Sequence, residues 1–381
     1  MNKAVVEYRA ENLRIARLLN GFSQQELGNR ISTSRQYVHQ LESGIKEPSE
    51  DLLPSLVEAL RVSKSFLYGT AITELKSEQC HFRKRRTTTQ SVCSQVLAYG
   101  SVLEKFLDAV KSYVDLPTPF VVNELAEKFG KYDFMTIRDI DLAAREYRIM
   151  SGFSTDTPIE NITDLIESQG IFITSFNGVS EKVDALSFFR RHQVILRNTS
   201  KDSPGRQRFD LSHELGHLIL HNGVETGDSE TEGQADWFAG SFLFPEEAFR
   251  REFPLCLDSI GRIDWSRLVE LKIRWKVSLK SIIYRAHVFG LISARQYRTA
   301  NIHISKSGWS KKEKGDDEIA MEEPSLISEC IEVITDSLNI PFENFSDLIG
   351  VDAEFLNELF DLQLELKERM PNLYAINSFR V

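Results

Sequence analysis

The run His213-Glu214-Leu215-Gly216-His217 constrains this chain more than any other stretch of its sequence. The residues around it, Phe209 to His221, carry a helical pattern. Positions i and i+4 of a helix share a face, so both imidazoles turn toward one point and suit one metal ion. Glu214 stands beside them, where a carboxylate takes a proton from a metal-bound water. The plainer reading, an amphipathic helix with surface histidines, loses ground because more of a site follows downstream.

A catalytic zinc keeps one position open for water and needs a third protein ligand. Gly227-Asp228-Ser229 reads as a helix start with Asp228 or Ser229 as cap. The helix is expected from Glu230 to about Leu243, stopping before Pro245. On it Glu232 and Asp236 are four apart and share a face. Glu232 is the favoured third ligand, with Glu230 as its rival on another face. Asp236 is then placed to accept the second N–H of a ligand histidine and hold its tautomer. A third-histidine pattern would need histidine at position 223, which is Gly223. His221 has two readings, a helix-end histidine near the negative end of the dipole or a contact to substrate.

The chain has 381 residues, enough for two or three domains, with an ordinary globular 41% hydrophobic and 27% charged content. No apolar run reaches the length of a membrane span, and the start, Met1 to Arg9, is charged and amphipathic rather than a secretory leader. Cys80, Cys93, Cys256 and Cys330 are scattered without a C-x-x-C pair, as expected of reduced thiols in a cytoplasmic protein. A net charge of -10 excludes a chain built throughout to wrap nucleic acid, though not a local module that binds it.

Such a module opens the chain. Five short helices are expected from Asn12 to Tyr68. Asn20-Gly21 ends the first, and Ser23 with Glu26 forms a capping box for the second. Ser32 or Thr33 starts the third, Ser34 to Leu41. Two helices joined by a tight turn, the second polar outside, make a helix-turn-helix. Ser34, Arg35, Gln36, Tyr37 and Gln40 are the candidates for base or phosphate contact, and Gln24 stands at the phosphate-holding start of the second helix. Residues 1–70 hold nine Lys or Arg against eight Asp or Glu, a surplus of one. So small a surplus leaves a protein-docking module as the alternative.

Beyond it, His81-Phe82-Arg83-Lys84-Arg85-Arg86 reads equally as an arm along the DNA backbone or as a solvated linker or subunit contact. Residues 90–113 carry a helical apolar stripe, expected as core between domains or a dimer face. Ile171–Phe176, Ala185–Arg190 and Gln193–Arg197 read as strands, the last two joined by Arg191-His192 as a hairpin. The strand at Leu186–Arg190 is expected near the sheet edge to which an extended substrate would add. Lys306 to Glu323 reads as an exposed linker, and Pro324 to Val381 as helical. Tyr284, Arg285 and His287 are candidate oxyanion donors, with packing as their plainer role.

Two resemblances account for these motifs. Residues 12–69 resemble the Xre/Cro/CI-type repressor domain through Ser23-Gln24-Gln25-Glu26-Leu27, Ser34-Arg35-Gln36-Tyr37-Val38, Glu42-Ser43-Gly44 and Pro48-Ser49. Residues 139–297 resemble the ImmA/IrrE family of zinc metallopeptidases. That match runs through Ala143-Ala144-Arg145-Glu146, Pro158-Ile159-Glu160-Asn161 and Ile195-Leu196-Arg197-Asn198. It continues through the H-E-x-x-H run with His221, Glu232 with Ala235-Asp236, and Leu243-Phe244-Pro245. The resemblance implies an all-α helix-turn-helix domain and an α+β zincin-like metallopeptidase domain, and with the C-terminal extension that the pattern reads as helical the fold is expected to be multidomain. The expected divisions are residues 8–70, a helical interdomain region 71–133, the peptidase at 134–300, and linker plus extension at 301–381.

The resemblance further implies a DNA-binding regulator that is also a zinc-dependent endopeptidase of gluzincin type. Zn2+ would be held by His213, His217 and Glu232, with Glu214 as base and Asp236 behind a ligand. The expected partners are a double-stranded DNA operator, a repressor-like protein substrate or the chain itself, and a second copy in a homodimer, with no membrane. The competing readings are a transcription factor with a non-catalytic zinc site and an antitoxin-like autoregulating protein. An intact Glu214 argues against the first, because a structural metal site has no use for a base.

Overall fold

The computed structural model describes residues 7–84, 89–130, 135–175, 183–197, 203–310, 312–362 and 364, with backbone alone for 82–84 and 183–185. It opens with α1 (Ala10–Leu19), α2 (Gln24–Arg30), α3 (Arg35–Glu42), α4 (Leu53–Leu60) and α5 (Lys64–Tyr68). The capping box of α2 acts where expected, whereas α3 is capped by Ser34 rather than started by Ser32 or Thr33. The Ser23 hydroxyl accepts from the Glu26 N–H while the Glu26 carboxylate accepts from the Ser23 N–H, and Ser34 caps α3 through Tyr37 N–H.

Strand β1 (Cys80–Lys84) and the long helix α6 (Gln90–Lys111) follow, then α7 (Phe120–Phe129), α8 (Ile137–Met150) and α9 (Ile162–Ser168). Next come β2 (Ile171–Ser175), β3 (Val183–Phe189) and β4 (Gln193–Arg197). The four strands lie in the order β1-β3-β4-β2, with β2 and β4 parallel and the other pairs antiparallel. β2 and β4 are buried at every position, as their near-continuous apolar runs require of strands covered on both faces.

Alternate residues of this sheet serve two cores. Phe172, Leu186, Phe188, Val194 and Leu196 face a core that also holds the helix-turn-helix, the buried stripe of α6 and the C-terminal helices. Ile171, Ile173 and Ile195 face a second core built on the peptidase helices. The α6 stripe is therefore core between the N-terminal module and the sheet.

The second core is organised around α10 (Pro204–Leu220) and α11 (Ser229–Leu243). It is completed by α12 (Glu246–Glu252), α13 (Trp265–Trp275), α14 (Leu279–Val288) and α15 (Ala294–Lys306). Helices α16 (Leu326–Glu332), α17 (Phe342–Ile349) and α18 (Ala353–Phe360) then return to the first core. There Ser63 N–H donates to Gly350 O and Asp352 N–H to Arg61 O, at 2.9 and 3.0 Å, tying the C-terminal helices to the N-terminal module.

Two expectations are corrected. The basic run is not a free arm: Cys80–Lys84 form a strand of the sheet, and Arg85 and Arg86 lie outside the described residues. The strand containing Leu186 lies near the edge as expected, one strand in from it, with β1 paired along its outer side. The 306–323 stretch is not an exposed linker, because three of its acids are buried. Glu313 and Asp316 enclose the buried ammonium of Lys272 at 3.0 and 2.5 Å. Glu322 pairs with the buried guanidinium of Arg208 and accepts from the Ile162 and Thr163 N–H groups at the start of α9, both at 3.0 Å. Charges read from sequence as solvated are held inside because each has a cation or a helix N-terminus as partner.

Candidate metal centre

Helix α10 presents its motif from a fully packed position: His213, Glu214 and His217 are at most 1% exposed. Helix α11 crosses close to it. A Cβ on Gly216 would lie 3.1 Å from the Phe238 ring, so the glycine between the histidines permits the approach that carries Glu232 into the site. Asp228 fixes where α11 begins, accepting from the Glu230 and Thr231 N–H groups at 2.7 and 3.0 Å.

His213, His217 and Glu232 converge, with one ligand atom of each lying within 4.8 Å of the others. The two Nε2 atoms are 3.0 Å apart, and the Glu232 oxygens lie 3.5 Å from that of His213 and 3.4 Å from that of His217. A tetrahedral zinc bonded at about 2.0–2.1 Å separates its ligand atoms by about 3.3 Å, which these distances bracket. Glu230 is not in this group; its carboxylate lies toward Gln234.

The hydrogen bonds behind the histidines settle which nitrogens carry protons. His213 Nδ1 is 2.8 Å from Asp236 Oδ1; a carboxylate only accepts, so Nδ1 donates, and in the neutral ring Nε2 keeps its lone pair. Behind His217 stands His221, whose Nδ1 is 2.9 Å from His217 Nδ1. His221 Nε2 donates to Gln234 Oε1 at 2.7 Å. Neutral His221 therefore accepts at Nδ1, His217 donates from its own Nδ1, and His217 Nε2 is left as a lone pair beside that of His213. Two lone pairs facing at 3.0 Å repel unless they share a cation.

The charge states agree. Burial drives His217 down to about 4, so it is neutral near pH 7. His221 is lowered too, first by burial. Two imidazole nitrogens and one carboxylate converge here, a donor set suited to a divalent metal. Glu214 accepts a 2.5 Å hydrogen bond from Ser187 Oγ on β3, which fixes one oxygen of its carboxylate.

His221, Gln234 and Ser187 were not singled out by sequence for these positions. His221 carried a usable signal, four residues from His217 on the same face; Ser187 carried none. Of the proposed oxyanion donors, Tyr284 is half exposed, Arg285 is buried and donates to Phe244 O at 3.1 Å, and His287 stacks on Tyr297. Their recorded partners lie outside the metal cluster.

In the N-terminal module α3 packs on α2 and on α1. Ser34, Arg35 and Gln36 are exposed, and Tyr37 and Gln40 half-buried. The Ser34 hydroxyl is taken by the cap. The Gln24 amide donates to Glu42 at 2.7 Å, and Glu42 also pairs with the buried Arg17. The Gln24 side chain is thus engaged within the module.

Residues 166–287 match the family model described as the IrrE N-terminal-like domain, and residues 13–67 match the model of a helix-turn-helix domain. No curated protein matches the chain. Among the described residues no helix is long and apolar enough to cross a membrane. The chain joins a helix-turn-helix domain of the DNA-binding, transcription-regulating kind to an IrrE N-terminal-like domain of metallopeptidase type.

Proposed function

We propose that this protein is a zinc-dependent endopeptidase of gluzincin type carried on an operator-binding domain, and that it cleaves a repressor-like protein or its own chain to switch on the genes at that operator. The observation that carries the reading is the convergence of His213, His217 and Glu232 beside a buried Glu214, in one chain with an exposed α3. In this reading residues 8–70 bind DNA and residues 134–300 catalyse, in the cytoplasm.

His213 and His217 hold the metal through Nε2, and Glu232 supplies the charged ligand. Zinc, when bound, polarises a carbonyl and makes water more acidic. Glu214 is the general base, taking the proton of the attacking water and returning it to the leaving amine. Ser187 orients that carboxylate. Asp236 and the His221–Gln234 pair keep the ligand imidazoles in the tautomers that leave Nε2 unprotonated. Arg35 and Gln36, exposed at the start of α3, are the residues placed to enter a major groove, with the module binding as a dimer.

The test is incubation of the zinc-loaded protein with the products of its neighbouring genes, with and without chelator. The reading expects a discrete cut in one of them, or in this chain, that chelator and Glu214→Gln both abolish. A cut that persists in Glu214→Gln defeats the mechanism.

A further inference from the structure

We infer that Cys80–Lys84 is a built-in occupant of the peptide-binding edge, which holds this centre closed until it is displaced. The inference rests on the reading of the centre as a peptidase site. An extended substrate would add to the side of β3 turned away from β4; β3 is the strand that carries Ser187 against the base Glu214. That side is already taken. β1 lies antiparallel along it, with Cys80 opposite Phe188, His81 opposite Ser187 and Phe82 opposite Leu186.

Paired residues of neighbouring strands point to the same face, so His81 shares with Ser187 the face turned to α10. Its ring stacks parallel on His217, with centroids 4.9 Å apart and planes 8° apart. His81 is 7% exposed, and its Nδ1 lies 3.0 Å from Thr226 Oγ1 in the loop that follows α10. What the strand offers the centre is therefore an imidazole stacked over a ligand. With β1 in place the base and both histidines are shut from solvent, as a working peptidase cannot be while it admits substrate.

The placement in the chain matters as much as the contact. Residues 69–89 connect the helix-turn-helix to α6, and β1 is the part of that connection that crosses the centre. A peptide must compete with a tethered strand, so its apparent affinity falls by the fraction of molecules in which the strand is released.

The experiment titrates zinc-loaded full-length protein with an extended tripeptide hydroxamate by calorimetry, and follows amide exchange of residues 80–84 and 183–189. Zinc content is measured alongside. Three proteins are compared with wild type: His81→Ala, Thr226→Val, and the double substitution His81→Pro, Phe82→Pro. Successive strand residues turn their N–H groups to opposite sides, so the double variant loses one donor to β3 whichever way the ladder runs. The expected result is hydroxamate binding about tenfold tighter or more in the variants, with Thr226→Val the mildest. In wild type, bound hydroxamate should speed exchange at 80–84 while protecting 183–189. Equal affinity in all four zinc-loaded proteins, with 80–84 still protected at saturation, overturns the inference and leaves the metal centre standing. Failure of every protein to hold zinc removes the centre and the inference with it.

Discussion

His217 and His221 face each other across a hydrogen bond between their Nδ1 atoms, 2.9 Å apart. Only one of the two can carry the shared proton, and Gln234 decides which. Its Oε1 accepts from His221 Nε2, so His221 must accept at Nδ1 and His217 must donate. An unassuming helix-end histidine thereby holds the tautomer of a metal ligand. Removing it by His221→Ala is expected to weaken zinc binding about 10–100-fold with little change in fold, as for partners behind metal ligands elsewhere. Competition with a chromophoric chelator measures this; an unchanged affinity would refute the assignment.

The buried pair of Arg208 and Glu322 sets a second expectation. Glu322→Ala strands a guanidinium that is 1% exposed and uncovers the start of α9. The loss should be about 3–5 kcal/mol in urea unfolding. Glu322→Gln, which keeps an acceptor, should lose less. A cost within error of zero for the alanine variant would show that the 306–323 stretch does not clamp the domain.

Glu167 makes stability depend on pH. Its carboxylate accepts from the Ser325 and Leu326 N–H groups at 2.8 and 3.3 Å, yet burial, the largest influence, raises it from 4.5 to about 7. The folded state therefore holds the proton more tightly than the unfolded chain. The stabilisation is full below about pH 4.5 and is lost as pH rises through about 7. Glu167→Gln cannot ionise, so its stability relative to wild type should grow by on the order of 3 kcal/mol across that window and then level off. Thermal melts of both proteins at stepped pH read this directly, and a difference that stays flat from pH 4 to 8 would contradict it.

For DNA, Arg35→Ala with Gln36→Ala should relax sequence preference by about 1–3 kcal/mol per lost base contact, without changing zinc content. Gln24→Ala should act differently. The amide it removes is bonded to Glu42, so its effect should appear in the stability of the module as well as in affinity. Salt-dependent shift assays on operator and scrambled duplexes separate the cases. A double variant that keeps full sequence preference would move recognition off α3.

Much of this was legible in the sequence because short-range chemistry carries it. The capping box of Ser23 and Glu26, the Asp228 cap and the spacings within α10 and α11 are local, and they place His213, His217, Glu232 and Asp236 on the faces the structure shows. What could not be read depended on pairing between distant segments. Nothing in His81-Phe82-Arg83-Lys84 distinguishes a basic arm from a strand; the partner that makes it one, β3, lies about a hundred residues on. Glu313, Asp316 and Glu322 look solvated until Lys272, Arg208 and the starts of α9 and α14 are brought to them. Ser187 is an ordinary strand serine until the sheet sets it against Glu214.

The most direct test of the metal centre is zinc affinity at equilibrium in a small set of full-length variants. Wild type, Glu214→Gln and Glu230→Ala should each hold about one zinc per chain with similar affinity, whereas His213→Ala, His217→Ala and Glu232→Ala should each lose it. Wild-type affinity in Glu232→Ala together with loss in Glu230→Ala would contradict the account, placing the third ligand elsewhere on α11 and undoing the geometry on which the proposed chemistry stands.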